Sequence, residues 1–206
     1  MERKNTFVLA AQVAAELYFA TKVALQLSLT AKNAHAISAR AGQQSAGFRA
    51  ITSYIEELAE NTITYAQAIN REAMAVAMLA GQRERATRAL TQFHRVQASA
   101  ADAAFVHTLD APCRTTAARQ QSIDQEFSAR LKKLSSQLQD AQQQIRAAAI
   151  IASTSKIEAT QAGSFQPQLE VIAENITLSS DEIRAHLKTA QQLLNSATEN
   201  LAKGYH

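Results

Sequence analysis

Apolar and small residues recur through the first forty positions in alternating steps of four and three. From Val13 the steps land on Leu17, Ala20, Ala24, Leu27, Ala31, Ala34, Ser38 and Ala41, every one of them apolar or small. Such spacing is the heptad of a helix that buries one stripe against other helices. The stripe resumes through Phe48, Ile51, Ile55, Leu58, Thr62, Tyr65 and Ile69. Alanine-rich stripes let helices approach closely, so the pattern predicts a tight four-helix bundle.

The sparse glycines and prolines punctuate this pattern. Gly42 and Gly47 bracket Gln43-Gln44-Ser45-Ala46; Asp110-Ala111-Pro112 reads as an N-cap followed by a first-turn proline; Gly163 to Pro167 encloses Ser164-Phe165-Gln166. Gly81 stands alone inside a helical pattern and reads as a weak spot rather than a turn. Four helices follow, at about 7–41, 47–108, 112–162 and 167–203. The second, at about 1.5 Å per residue, would be ~90 Å long and needs a packing partner throughout.

The two glycine turns are 121 residues apart, and that offset carries the first stripe onto a second. Val13 to Ala41 map onto Leu134, Leu138, Ala141, Ile145, Ala148, Ala152, Ser155, Ala159 and Ala162, again all apolar or small. Phe48, Ile51, Ile55, Thr62 and Ile69 map onto Leu169, Ile172, Ile176, Ile183 and Ala190. The expected organisation over 1–206 is a single helical bundle. Repeat one spans 1–85, a connecting helical extension and turn 86–121, and repeat two 122–206.

Composition narrows the chemistry. With 5 Gly, 2 Pro and no Trp, helix formers dominate and an all-α fold is expected. The 21 basic and 18 acidic residues are interspersed, with no basic cluster of the sort nucleic acid demands. No run approaches the ~20 apolar residues of a membrane span, and the reading is a cytoplasmic protein. Its one cysteine, Cys113, reads as a bystander at a turn. His35, His94, His107, His186 and His206 share no metal-ligand spacing. No glycine-rich phosphate loop, nucleophile context or Glu-x-x-His pair is present. The expectation is a non-enzyme without cofactor or metal.

The stretch VALQLSLTAKNAHAISARAGQQSAGFRAITSYIEELAE, 23–60, resembles the signalling hairpin of methyl-accepting chemotaxis proteins. The ungapped matches are Ala24, Gln26, Leu29, Ala31, Asn33, Ala34, Ala39, Arg40, Ala41, Gly42, Gln44, Gly47, Phe48, Leu58, Ala59 and Glu60. Repeat two resembles the same motif more faintly, through Ile157, Glu158, Ala159, Ala162, Gly163, Val171 and Ala173. The resemblance implies a long antiparallel coiled-coil bundle in which two tandem hairpins stand for a receptor's cytoplasmic dimer. It also implies protein partners at the turn: a chemotaxis histidine kinase, a coupling adaptor or receptor tips, bound by a monomeric pseudo-dimer or a trimer of such units.

Residues carried over as partner-binding are Leu25, Leu29, Asn33, Ile37, Arg40, Gln44, Phe48 and Glu158, with Gly42, Gly47 and Gly163 as hinges. Leu25, Leu29 and Ile37 lie off the stripe on a flank beside the turn. The departures divide the tip chemistry. The family's tip glutamate falls at Ile37 in repeat one and is kept as Glu158 in repeat two, whereas its arginine is kept as Arg40 and becomes Gln161. Lys32 replaces a leucine on the partner-facing flank, and no full methylation motif surrounds Glu56-Glu57 or Gln191-Gln192. Arg40 and Glu158 are expected to pair across the repeats. The alternative reading is a structural helical-bundle interaction protein that has lost the signalling contacts.

Overall fold

The structure, a computed structural model, describes residues 3–100 and 103–203, the side chains at 3–7, 9–10, 43–44, 46, 148–149 and 197–203 excepted. Four α-helices account for most of them: α1 Arg3–Arg40, α2 Ala46–Ser99, α3 Asp110–Thr160 and α4 Gln166–Lys203, with no strand among the described residues. Short 3-10 turns lie at Gly42–Ser45, Val106–Leu109 and Gly163–Phe165. No described helix is long and apolar enough to cross a membrane.

α1 packs on α2 and α4, and α3 packs on the same two helices. Cross-helix pairs show the chain directions: Arg83–Asp124, Thr87–Gln120 and Gln97–Asp110 join α2 to α3 with one number rising as the other falls. Glu16–His186 ties α1 to α4, Lys32–Glu56 ties α1 to α2, and Lys156–Glu174 ties α3 to α4. One hydrophobic cluster draws on all four helices. The α1 stripe from Val13 to Ser38 lies wholly inside it or beside it, with Ala41 half-buried at the turn. Its repeat-two counterpart from Leu134 to Ala162 is buried at every described side chain; Ala148 lies outside the described side chains.

In α2 the stripe has a different phase from the one read off the sequence. The central positions are Phe48, Thr52, Ile55, Ala59, Thr62, Ala66, Ile69, Ala73 and Val76, all buried. Ile51 and Tyr65 are half-buried against the edge of the core, and buried Leu58 shares their heptad position. Ile51, Leu58 and Tyr65 thus fill a flank, while small residues alternate with Phe48, Ile55 and Ile69 along the centre. Thr52 and Thr62 survive burial because each hydroxyl donates to a carbonyl one turn back, Arg49 and Leu58 respectively, at 2.8 Å.

The second turn also differs from expectation. α2 stops at Ser99 rather than near 108, and Ala100 N–H bonds back to Val96 O at 2.9 Å. No glycine or proline marks that stop. Asp110 is the first residue of α3 rather than its N-cap, and its carboxylate accepts from Gln97 Nε2 at 3.0 Å. At 54 and 51 residues, α2 and α3 are longer than α1 and α4, at 38 each, and the surplus forms a two-helix extension. Two helices alone cannot shield a stripe from water, so heptad positions there tolerate polar rungs. Arg83 Nε lies 2.6 Å from Asp124 Oδ1, Gln120 Nε2 donates to Thr87 Oγ1 at 2.9 Å, and Cys113 Sγ lies 3.7 Å from His94 Nε2.

Farther along, the α2–α3 flank is held by Glu72, whose side chain is 12% exposed and meets both Arg130 and Lys133. The Lys133 hydrogen bond holds the Glu72 carboxyl below its ordinary value; desolvation opposes this, while the charges of Lys133 and Arg130 add to it. A depressed carboxyl contributes stability above its unfolded pKa, about 4.3, and loses it as pH falls through the folded value. Glu72→Gln is therefore expected to lower Tm by roughly 2–4 °C near neutral pH, with the difference from wild type shrinking as pH falls through the folded value. Paired melts across pH 3–8 check this.

Candidate functional site at the hairpin turns

The α1–α2 turn is built from its own backbone. Gly42 takes φ 65°, a left-handed conformation that ends α1 and that glycine adopts without the β-carbon penalty. Ser45, 2% exposed, donates to Ser38 O at 2.6 Å, and Ser38 Oγ in turn donates to Ala34 O at 2.8 Å. Buried hydroxyls thereby stitch the end of α1 to the start of α2. The α3–α4 turn repeats the device: Gly163 takes φ 57°, and Phe165 N–H bonds Ala162 O at 3.1 Å.

Gly47 differs from these two. Its φ is not positive and it lies in the first turn of α2, so it is no hinge. It is a place of close approach: a β-carbon at Gly47 would collide with the Glu158 carboxylate. The Glu158 carboxylate of hairpin two therefore rests against the N-terminal turn of α2. That turn has no acidic residue of its own, and Ser45 gives it no side-chain cap. A carboxylate there complements the helix dipole, a contribution of about 0.3–1 kcal/mol. The expected Arg40–Glu158 ion pair is absent; Arg40 is exposed, and Glu158 is turned to the α2 backbone instead.

The remaining carried-over residues divide by exposure. Leu25 is 53% and Leu29 64% exposed, and Asn33 is exposed with them on the outer side of α1. Ile37 is half-buried against the core. Phe48 is fully buried, so it belongs to the core and offers nothing to a partner. Gln44 has its side chain outside the described residues. Hairpin two carries exposed apolar residues as well: Ile157 and Val171, which match the motif, and Ile150, at 72%, and Leu178, which sequence reasoning passed over. The 121-residue offset that carries Leu29 onto Ile150 was the available signal.

No group of three or more metal-capable side chains occurs among the described residues. His186 Nδ1 lies 2.7 Å from Glu16 Oε2 and its ring stacks on Phe19, a tie between α1 and α4. Cys113 is half-buried within α3, beside His94, rather than idle in a turn. The turn region thus offers a backbone stitched by buried hydroxyls beside an exposed apolar flank of α1.

No protein family model matches this chain, and no curated protein matches it.

Proposed function

We propose that the chain is a non-enzymatic, chemoreceptor-like signalling or scaffold protein. In this reading the tandem hairpins form an antiparallel coiled-coil bundle equivalent to a receptor's cytoplasmic dimer. It engages a chemotaxis histidine kinase, a coupling adaptor or receptor tips through α1 beside the first turn. The observation that carries it is the ungapped match from Ala24 to Glu60, with Leu29 and Asn33 exposed on the flank where the resembled family makes its contacts. Leu25 adds apolar area to that flank. Glu158 set against Gly47 supports a joint tip made from both hairpins.

In cells with receptor arrays, a fluorescent fusion is expected to gather at those arrays and to disperse when they are deleted. Leu29→Ala with Arg40→Ala is expected to weaken that recruitment several-fold. A fusion that stays diffuse beside intact arrays sinks this reading.

A second reading is favoured by the buried Phe48 and by the missing Arg40–Glu158 pair. Under it the chain is a structural helical-bundle interaction protein that keeps the architecture without the signalling contacts. Array-dependent localisation argues against it.

A further inference from the structure

In a helix packed on one side, the heptad positions facing away from the core are ordinarily polar. α2 behaves so along its first half: the row begins Ala50, Ser53, Glu57, Glu60, Thr64 and Gln67, all exposed, and turns apolar farther along, at the exposed Met74 and Met78. α1 does not. From residue 8 to residue 39 its outward positions, again spaced in alternating threes and fours, hold Val8, Tyr18, Lys22, Leu25, Leu29 and Lys32, and every other one is alanine. All of them are exposed, Tyr18 by 65%. Isolated surface apolars need no explanation, but a second heptad row of ~45 Å opposite the buried one, apolar or small except at Lys22 and Lys32, has the form of a seat for another helix.

The charge on this stripe identifies the kind of helix. It contains two lysines and no acidic residue. Lys32 is already engaged, 3.4 Å from Glu56 on α2. Lys22 has no ion-pair partner among the described residues. A cation left alone between Tyr18 and Leu25 favours a carboxylate on whatever covers these side chains and disfavours a basic partner. Phe19, one position round the helix, is used within the chain against His186, which sets the stripe's edge on the α4 side.

We infer that the outer face of α1 is a docking stripe for one acidic amphipathic helix of a partner protein, laid along the bundle from Val8 toward Ala39. The stripe shares Leu25 and Leu29 with the proposed tip contact, yet it extends far from the turn and requires neither kinase nor adaptor.

The test uses the full chain and two monomeric, fluorescein-labelled 28-residue amphipathic peptides. One carries leucine at two positions of each heptad and glutamate on the flanks; its twin carries lysine in place of glutamate. By fluorescence anisotropy the acidic peptide is expected to bind at micromolar concentration and the basic twin at least tenfold more weakly. Leu25→Asp is expected to abolish binding, and Lys22→Glu to weaken the acidic peptide at least tenfold while strengthening the twin. Both positions are exposed, so unchanged helicity by circular dichroism is expected for each variant. Cys113→Ser, in the two-helix extension away from this face, is expected to leave peptide binding unaltered. The inference is overturned if neither peptide binds, or if both bind equally to wild type and variants. It is overturned as well if Lys22 and Leu25 govern binding to anionic phosphatidylserine vesicles instead, or if Leu25→Asp abolishes self-association seen by light scattering.

Discussion

Phe48→Ala is expected to lower Tm by roughly 10 °C while leaving the helix content of the remaining folded protein unchanged. Phe48 is the first core residue after the α1–α2 turn, and it is fully buried. Truncating a buried phenylalanine costs about 3–5 kcal/mol, part lost transfer energy and part cavity. In a chain of this size each kcal/mol corresponds to about 2–4 °C. The repeat makes a matched control available, since Leu169 is buried at the equivalent place after the second turn. Leu169→Ala is expected to fall within the same range, about 2–5 kcal/mol. If Phe48→Ala instead left Tm unchanged and altered only partner binding, Phe48 would belong to the docking surface after all.

Ala31→Leu is the second large effect expected, and it acts by the opposite route. Ala20, Ala24, Ala31 and Ala34 are fully buried along α1, so their methyl groups set how near the neighbouring helices lie. A leucine at Ala31 has no space to enter without moving a helix, and overpacking of this kind costs about 1–3 kcal/mol, occasionally more. The expected drop in Tm is roughly 3–10 °C. The same substitution at Ala36, exposed on the outer face of α1, is expected to change Tm by less than about 2 °C. Equal effects at the two positions in thermal melts would show that α1 is not seated as described.

These two substitutions bracket what was readable in advance. The α1 stripe was legible because Val13, Leu17 and Leu27, set among small residues at every heptad step from 13 to 38, mark one row without a charged or bulky polar interruption. The α2 stripe was not, because Ile51, Leu58 and Tyr65 present a more apolar row than Thr52, Ala59 and Ala66, which occupy the centre. Apolar size points to the wrong row where a helix packs on two neighbours at once. The turn after Ser99 carried no local signal, since the chain leaves the helix without glycine or proline.

The candidate site was legible in its backbone and less so in its side chains. Gly42 and Gly163 could be read as turn residues because few other residues take a positive φ at low cost. Gly47 has the same letter and a different physical reason, a close approach by Glu158 that only the folded chain brings about. The expected Arg40–Glu158 pair rested on opposite charge near two turns. Proximity along the bundle fixes no side-chain direction, and Glu158 turns to the start of α2 instead.

The proposed docking is decided by calorimetric titration of the purified chain against a chemotaxis histidine kinase and a coupling adaptor. Saturable binding of either protein is expected, weakened at least tenfold by Leu29→Asp and left intact by the distal variant Cys113→Ser. Heats indistinguishable from dilution for both proteins, from a chain whose melting curve shows it folded, would contradict it.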